Sequence, residues 1–433
     1  MGILLIFFGL LIAFVIIGVP VGYSLGIVSV IAIIIRWGTS GLSFEVLAQM
    51  LVFGINDFII LAIPLFLLAG ALMNESGISN RIFDFAKNLI GHIRGGLGHV
   101  NILASFIFSG MSGSAAADVA SLGQIEIKAM LDAGYDKDFS CAITGASSTI
   151  GPIVPPSVPL VLYGVLAGAS VTRLFMGGIL PGVLMAIILM IYCSIVAKKR
   201  NYPKGDKFNL KKLYISFKKA LFALFTPVII IGGIWIGFFT PTEAAAVAAL
   251  YSVILGIFIY KELSYKKIIN LLKNVTLNSV AILFILACAQ IYSAALTRTQ
   301  IPELIINLLS SIGIGKSPLL ILLLLNIVLL IFGCFMSTGA TISLLTPLIA
   351  PLLPKFGIDP IHFGLIMVLN LMIGQMTPPF GIVLYVLTRV GEIDFDRLVK
   401  AFIPFYIPLF VVLLMIIFFP FFVTYLPNLI YGK

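Results

Sequence analysis

The chain has 433 residues, of which 61% are hydrophobic and only 10% charged, and its mean hydropathy is +1.17. Soluble globular proteins carry roughly 25% charged residues, so this composition excludes that class and predicts a polytopic membrane protein. The net charge of +10 does not indicate nucleic-acid binding, because the basic residues cluster in a few loops, as membrane topology requires.

The first half of the chain, residues 1–200, is predicted to cross the membrane five times. The N-terminal run has neither a basic n-region nor a small-residue cleavage site, so we interpret it as a retained span. Apolar runs place the spans near residues 3–19, 22–36, 57–73, 138–169 and 174–197.

Residues 97–133 have a different pattern, which predicts a re-entrant helical hairpin. The segment is apolar up to Phe108, continues as SGMSGSAAAD, and then forms a more polar arm that contains Glu126 and Lys128. Small residues in irregular backbone are tolerated at membrane depth only where protein or a cavity surrounds them.

A basic linker, assigned to residues 201–220, divides the chain. The surrounding stretch KKRNYPKGDKFNLKKLYISFKK, residues 198–219, has nine Lys or Arg and one Asp. The positive-inside rule places this loop in the cytoplasm. A surface for anionic lipid or for a partner is compatible with that placement.

The second half, residues 221–433, repeats features of the first at a nearly constant offset. GPIVPP at residues 151–156 returns as GQMTPP at 374–379, and Gly134 and Asp136 return 223 residues later as Gly357 and Asp359. Constant offsets predict an internal duplication, with a second hairpin at 318–353 and a second broken helix at 361–390.

The predicted topology is inverted between the two repeats, because five crossings are an odd number. With the basic linker in the cytoplasm, both chain termini lie outside and most Lys and Arg lie inside. The basic residues left outside are Arg36, Arg173, Arg298, Lys316, Lys355 and Lys433.

The two Gly/Pro interruptions predict broken helices whose freed backbone carbonyls bind a cation. Proline removes a backbone N–H and disfavours helix at the preceding residue. Unpaired carbonyls are costly in a membrane, and Na⁺ is a hard cation that suits oxygen ligands. The N-termini of the half-helices point partial positive charge toward an anion. Paired broken helices in inverted repeats indicate the binding site of a secondary transporter.

Polar side chains surround both interruptions and add further oxygens. Close helix packing through small residues is the alternative interpretation of these clusters; two matched clusters, each beside a break, favour ion coordination. They are Ser109, Ser112, Ser114, Thr144, Ser147, Ser148 and Thr149 in the first half, and Ser337, Thr338, Thr341, Asn370 and Thr377 in the second.

Long motifs resemble a known family. GMSGSAAADVASLGQIEIKAMLDAGYDKDF, SSTIGPIVPPSVPLVLYGV and GIDPIHFGLIMVLNLMIGQMTPPFGIVLYV are similar to both repeats of the large membrane subunit of tripartite ATP-independent periplasmic (TRAP) transporters. The resemblance extends from the first span to the last. It implies an elevator-type fold and sodium-coupled uptake of an organic acid across the inner membrane. The implied partners are an extracytoplasmic substrate-binding protein and a small four-span membrane subunit.

The resemblance also implies two sodium sites, with the substrate between the hairpin tips. One departure from the family is Ser337, which stands where relatives often carry an acidic residue. The first sodium site would use Ser109, Ser112, Gly113, Ser114, Ser147, Ser148 and Gly151; the second would use Ser337, Thr338, Gly339, Thr341, Asn370, Gly374 and Thr377; the substrate would contact Arg298, Ser112, Ser337, Pro155 and Pro378.

The few charged residues near membrane depth have competing interpretations. Arg298 would hold a substrate carboxylate through its planar fork or simply extend to the interface from a helix end. Asp118 and Glu243 are predicted to cap helices. The predicted scarcity of acidic residues in the spans favours sodium over protons as the coupling ion.

Metal chemistry and several other functions find no support in the sequence. Cys141, Cys193, Cys288 and Cys334 lie in apolar runs without metal-binding spacing and are predicted to be buried. No nucleophile–base pair for an enzyme and no GxxxxGK[ST] loop for ATP-driven transport is recognisable. An anion channel or a related carrier that works without a binding protein remains the alternative to a TRAP symporter.

Overall fold

The computed structural model describes residues 2–38, 43–311, 313, 315 and 317–432. Within these ranges the regular secondary structure is helical, and one isolated β-bridge joins Arg94 and Lys204. The predicted all-α fold class is confirmed. Lys316 and Lys433, which the topology assigns to the outside, lie outside the described residues.

The first half of the chain forms a series of helices that ends in one long span. They are α1 (Gly2–Ile17), α2 (Val21–Trp37), α3 (Phe44–Phe53), α4 (Ala62–Glu75), α5 (Ile78–Ile90), α6 (Gly96–Ser112), α7 (Ala115–Asp132), α8 (Lys137–Ser148), α9 (Val158–Ala167) and α10 (Val171–Lys199).

The second half has a comparable series. Its helices are α11 (Leu210–Trp235), α12 (Pro241–Ile254), α13 (Tyr265–Thr299), α14 (Ile301–Ser311), α15 (Pro318–Phe335), α16 (Thr338–Ile349), α17 (Pro360–Gln375), α18 (Ile382–Gly391), α19 (Phe395–Phe402), α20 (Tyr406–Phe418) and α21 (Phe421–Tyr431).

Seven helical segments among the described residues are long and apolar enough to cross a membrane. The spans predicted at 57–73 and 174–197 are among them, while α1 and α2 are shorter helices of 16 and 17 residues. The seven are Phe58–Glu75, Val171–Lys199, Leu210–Trp235, Pro241–Ile259, Tyr265–Thr299, Pro318–Phe335 and Phe395–Phe418.

Two helical hairpins lie where the small-residue turns predict them. α6 and α7 form the first hairpin, and α15 and α16 form the second. Each turn is closed by a serine that caps the returning helix: the Ser114 hydroxyl accepts from the Ala117 N–H and the Ser337 hydroxyl from the Ala340 N–H, both at 3.4 Å.

Two helices are broken at the predicted Gly/Pro motifs. α8 ends at Ser148 and α9 begins at Val158, while α17 ends at Gln375 and α18 begins at Ile382. The prolines supply no N–H to continue the helical ladder. The Pro155–Pro156 and Pro378–Pro379 peptide bonds are both cis, so each break contains a cis proline at the same position of its motif.

Two segments differ from expectation. Residues 210–220, assigned to the linker, form the first turns of α11, where the Asn209 side chain accepts from the Lys212 N–H at 3.1 Å. Residues 262–274 alternate apolar and basic residues at helical spacing, which predicts a helix lying in the membrane plane. From Tyr265 onward they are instead continuous with α13, which has 35 residues. At 1.5 Å per residue this helix is roughly 52 Å long, longer than a bilayer core of about 30 Å.

The hairpins and broken helices interlock across the two repeats. Each hairpin packs on the broken helix of its own repeat, α6 and α7 on α8, and α15 on α17. In addition, α9 packs on α16 and α18 packs on α7, so each second half-helix contacts the hairpin of the other repeat. A second group of helices, α2, α4, α12 and α13, packs beside this core.

Candidate binding site at the two hairpin tips

The first hairpin tip rests directly on the first helix break. A Cβ added to Gly113 would lie 2.5 Å from the Pro156 carbonyl oxygen, and one added to Gly151 would lie 3.7 Å from the Ser114 nitrogen. Gly113 also has φ 59°, a left-handed conformation that glycine adopts without steric cost. Glycine is therefore required at the tip for close approach and for backbone conformation.

The first break leaves carbonyl oxygens without partners, as predicted. The Ile150 and Gly151 N–H groups donate to the Ser147 and Ser148 carbonyls at 3.0 and 3.1 Å. No described residue donates a hydrogen bond to the carbonyls of Gly151, Val154 or Pro155. All residues from 149 to 157 are buried, so these oxygens are available to a bound cation and shielded from bulk water.

The second tip and break meet in the same way. The Gln375 side-chain amide donates to the Thr338 hydroxyl, and a Cβ added to Gly374 would lie 2.7 Å from the Gly333 Cα. Within the described residues, no hydrogen bond reaches the carbonyls of Thr377 or Pro378. The second repeat therefore presents a comparable set of free backbone oxygens.

Two of the predicted ion-binding side chains have an unpartnered buried oxygen. The Ser112 hydroxyl and the Asn370 Oδ1 make no hydrogen bond with the described residues, and their residues are 7% and 1% exposed. A buried polar atom without a partner is costly. Ser112 lies at the first tip and Asn370 in the helix before the second break, so each repeat contributes one such oxygen from the side chains predicted to bind ions.

Except for Thr338, which accepts from Gln375, the other predicted hydroxyls donate to nearby backbone carbonyls or cap helices. Each still offers acceptor lone pairs to a cation, because a hydroxyl has one donor and two acceptor positions. Ser109 donates to Phe106, Ser148 to Gly145, Thr341 to Ser337 and Thr377 to Ile373, while Ser114 and Ser337 are the caps of α7 and α16.

A buried asparagine on the ascending arm of each hairpin was not identified from the sequence. Asn101 Nδ2 donates to the Thr144 hydroxyl at 2.7 Å, and the Ser147 hydroxyl donates to Asn101 Oδ1 at 2.7 Å. In the second repeat, Asn370 Nδ2 donates to Asn326 Oδ1 at 2.7 Å. Asn326 follows Asn101 by 225 residues, so the repeat offset was the signal that could have revealed this pair.

Two acidic residues of α7 are buried without partners. Asp118 is 2% exposed and Glu126 is 0% exposed, and none of their four carboxylate oxygens forms a hydrogen bond with the described residues. The prediction that Asp118 caps α7 is wrong, because Ser114 is the cap. Both residues lie in the hairpin, outside the spans for which few acidic residues were predicted, and they are buried where α7 packs on α8 and α18.

Arg298 forms no described hydrogen bond with the residues of either tip. It lies exposed in the last turn of α13, and no described hydrogen bond or ion pair connects it to either hairpin. Glu243, in contrast, forms the predicted cap: its carboxylate accepts from the Thr240 N–H at 2.8 Å in a capping box.

Metal-binding clusters are absent from the part of the chain that the structure describes. No group of three or more His, Cys, Asp or Glu is placed to hold a metal ion there. The four cysteines are buried and free, as predicted. The site is therefore built from backbone carbonyls, hydroxyls and amides, which are oxygen donors that suit a hard monovalent cation.

Comparisons with known proteins agree with this architecture. Residues 8–422 match the sequence family described as "Tripartite ATP-independent periplasmic transporter, DctM component". The chain is 46% identical over 416 residues to the sialic acid TRAP transporter large permease protein SiaM of Vibrio cholerae, covering 96% of each chain. It is 40% identical over 373 residues to the C4-dicarboxylate TRAP transporter large permease protein DctM of Pseudomonas aeruginosa, covering 86% of this chain and 87% of the relative.

A solved structure shows the same fold at low identity. The YdaH transporter of Alcanivorax borkumensis superposes with a TM-score of 0.66 and 14% sequence identity, covering 87% of this chain and 89% of that chain. At this identity the likeness concerns the fold alone.

Proposed function

The chain belongs to the DctM-component family, the large permeases of tripartite ATP-independent periplasmic transporters, and we propose that it imports a small organic acid anion together with sodium ions. Family membership makes it a multi-pass inner-membrane protein and a secondary transporter of organic acids, not an enzyme. It also implies a small membrane subunit and a substrate-binding protein as partners.

The observation that carries sodium coupling is the repeated contact of a hairpin tip with a helix break. At the first break, the free carbonyls of Gly151, Val154 and Pro155 lie near a tip that carries the unpartnered Ser112 hydroxyl. At the second, the free carbonyls of Thr377 and Pro378 follow the helix that carries the unpartnered Asn370 Oδ1. One Na⁺ at each break would satisfy these oxygens.

The substrate anion is proposed to bind between the two tips. The helices α7, α9, α16 and α18 all begin at a tip or a break, so their N-terminal partial positive charges are directed to this region. Because α9 packs on α16 and α18 on α7, the four N-termini belong to one interlocked core. Arg298 would contribute only if transport brings it closer to this region.

Alternating access is proposed to occur by movement of the interlocked core along a scaffold that includes α4 and α11. A Cβ on Gly70 of α4 would lie 3.3 Å from the Met111 carbonyl oxygen and from the Ser112 Cα, and one on Gly110 would lie 2.7 Å from Pro227 of α11. These glycines allow smooth, close contact between the first hairpin and the scaffold. The amphipathic helix α5 and the short helix α14 connect the two parts.

The binding protein is proposed to deliver the substrate from outside, with the linker and its basic residues in the cytoplasm. The relatives transport different acids, sialic acid for SiaM and C4-dicarboxylates for DctM. The binding site in this chain is mostly backbone and small hydroxyls. Much of the selectivity among acids is therefore expected to come from the binding protein.

Uptake into proteoliposomes tests the proposal. The large permease is reconstituted with its small subunit, and labelled acid is added with the binding protein, with sodium or choline as the external cation. We expect saturable uptake that requires both sodium and the binding protein. Undiminished uptake in choline would disprove sodium coupling, and sodium-dependent uptake without the binding protein would identify the alternative, a binding-protein-independent carrier.

A further inference from the structure

The returning arm of the first hairpin, α7, exposes one narrow face along its length. The exposed residues recur at intervals of three or four, which is the spacing of a single face of an α-helix. They are Ala117, Ala120, Gln124, Lys128, Leu131 and Asp132. Most other residues of α7 are buried, and the helix packs on α6, α8 and α18. One side of α7 is therefore open, although the helix belongs to the interlocked core.

The composition of this open face is typical of a contact with water and not with lipid. Close to the tip it has only alanines, and Gln124 and Lys128 follow. Polar and charged side chains are costly in hydrocarbon, so a face in contact with lipid exposes large apolar side chains. The long helix α10 has such a face, whose residues recur every four positions and are 36%, 50%, 56% and 61% exposed: Val183, Ile187, Ile191 and Ile195.

Charge is distributed unequally around α7. Its buried side carries Asp118 and Glu126, which are 2% and 0% exposed, whereas the middle of the open face carries Lys128. The Lys128 ammonium forms no ion pair with a described residue, including Asp132 one turn farther along the helix. The side chains of Gln124 and Lys128 offer hydrogen-bond donors to a carboxylate. The open face therefore suits an organic anion.

The open face extends from the hairpin tip to the side of the molecule where the linker lies. Ser114, the cap of α7, is partly exposed, and Ala117 is exposed one turn later. Lys128 lies roughly 21 Å from Ser114 along the helix, at 1.5 Å per residue. Asp132, at the end of α7, lines a cleft together with linker residues 203–209. The face thus connects the proposed substrate site with the linker side of the protein.

The corresponding arm of the second hairpin is closed. Residues 340–349 of α16 are all buried, and α16 packs on α9 and on α13 of the neighbouring helix group. In the inverted arrangement of the two repeats, α7 and α16 lead from the tips to opposite sides of the membrane. The structure is therefore open along one arm, on the linker side.

We propose that the substrate anion leaves the tips along the open face of α7, and that Lys128 draws it out to the cytoplasm. This inference rests on the proposed import of an organic acid. The alanines near the tip leave room for the anion, and the lysine attracts it over a Debye length of about 10 Å. Because the anion meets Lys128 only after leaving the tips, the lysine should affect the rate of release and not the binding of sodium.

Substituted cysteines test whether the face is in contact with water. Gln124→Cys and Ile187→Cys are made singly in the full chain, whose natural cysteines are buried, and each variant is assembled with the small subunit in membrane vesicles. A charged, membrane-impermeant thiol reagent on the cytoplasmic side should label the Gln124→Cys variant and inhibit its uptake. The Ile187→Cys variant should react only with a lipid-soluble reagent.

Two labelling results would overturn the proposal. Reaction of the Gln124→Cys variant with the lipid-soluble reagent alone would mean that the open face contacts lipid. Labelling of the chain alone but not of its complex with the small subunit would mean that the partner covers the face.

Uptake kinetics test Lys128 itself. Lys128→Gln should lower the maximal uptake rate by about three- to tenfold and leave the half-maximal sodium concentration unchanged, while Lys128→Arg should keep the natural rate. The matched control is Lys400→Gln, which removes an exposed lysine of α19 and should also keep the natural rate. High salt inside the vesicles should slow the natural chain and have little effect on Lys128→Gln, because salt screens the lysine charge.

The kinetic outcomes separate this inference from the proposed function. An unchanged maximal rate for Lys128→Gln, an equal loss for Lys400→Gln, or a raised half-maximal sodium concentration would refute the role of Lys128 in release. If the natural chain shows no sodium-dependent uptake, the proposed function fails, and the cysteine labelling still decides whether the face of α7 contacts water.

Discussion

The first helix break, residues 149–157, is buried at every position, whereas the second break is exposed at Pro379 and Phe380. The hairpins differ as well. The returning arm α7 of the first hairpin carries the buried carboxylates of Asp118 and Glu126, while α16 of the second has no charged residue. The first helix break is therefore buried and belongs to a repeat whose hairpin carries acidic residues. The second break is more exposed, and the returning arm of its hairpin is uncharged.

This difference indicates different tasks for the two proposed sodium sites. Burial strengthens the attraction of carbonyl dipoles for a cation, so the first site should hold its ion more tightly. The second site, whose tip carries the neutral Ser337, relies on neutral dipoles alone. We expect its ion to bind more weakly and to depend more on the substrate anion beside it.

The sharpest test of the comparison is Gly113→Ala against Gly339→Ala. At Gly113 the new Cβ would lie 2.5 Å from the Pro156 carbonyl oxygen at φ 59°, whereas at Gly339 the nearest atom is Leu162 Cδ2 at 3.7 Å. A strained, clashing alanine costs on the order of 1–3 kcal/mol. We expect Gly113→Ala to reduce the uptake rate by more than about tenfold, with Gly339→Ala near the natural rate. Similar losses would mean that the tips are equally tolerant.

Substitution of the two buried acidic residues of α7 is expected to have the next largest effect on sodium-dependent uptake. A buried carboxyl group without a partner carries its charge only when a cation binds beside it. Asp118→Asn or Glu126→Gln removes a charge of that kind from the first repeat, so the sodium concentration for half-maximal uptake should rise on the order of tenfold. Asp132→Asn is the matched control, because Asp132 lies on the same helix but is exposed. If both buried variants behave like this control, the acidic environment does not contribute to ion binding.

A smaller effect on the half-maximal sodium concentration is expected when side chains without a hydrogen-bond partner are compared with side chains that have one. Ser112→Ala and Asn370→Ala remove oxygens that have no other partner, so each should raise the half-maximal sodium concentration by about five- to tenfold. Ser148→Ala and Thr377→Ala remove hydroxyls that already donate to helix carbonyls, and we expect changes of about twofold. Sodium titrations of uptake for all four variants measure this. The reverse ranking would show that lone pairs of the satisfied hydroxyls bind the ions.

The smallest effect concerns the matched aspartates at the start of each broken helix. Asp359 caps α17 by accepting from the Ile361 N–H at 2.7 Å, whereas Asp136 accepts from Tyr202 at 2.6 Å and Arg200 at 2.8 Å. The Tyr202 hydrogen bond, followed by Arg200, lowers the pKa of Asp136. Asp136 therefore stabilises the fold above the usual carboxyl pKa of about 3.9, and this contribution disappears as pH falls through the lowered value.

Thermal unfolding in detergent at pH 7 and at pH 4 and below measures that contribution. Since the pair is exposed, we expect Asp136→Asn to lower stability at pH 7 by less than about 1 kcal/mol, with the difference shrinking at acid pH. A difference that grows as pH falls would contradict the sign of the argument.

The sequence predicted the parts of the fold that depend on proline, glycine and long apolar runs. Both hairpins, both breaks and the serine-rich tips follow from local chemistry, and the constant offset relates them. The continuity of α13 could not be predicted, because the basic, amphipathic residues 265–274 fit an interfacial helix equally well. The inward orientation of Glu126 depends on how α7 packs on α8 and α18, which a single helix pattern does not specify.

The exchange of half-helices between repeats has a consequence for the assembly of the protein. α9 of the first repeat packs on α16 of the second, and α18 of the second packs on α7 of the first. Neither half of the chain therefore contains all the helices of the binding core. A half-length ancestor would have worked only as an antiparallel pair of identical chains, one inserted in each direction. For the same reason, two fragments cut within residues 203–209 and produced in one cell should reassemble into a transporter, while either fragment by itself should be inactive.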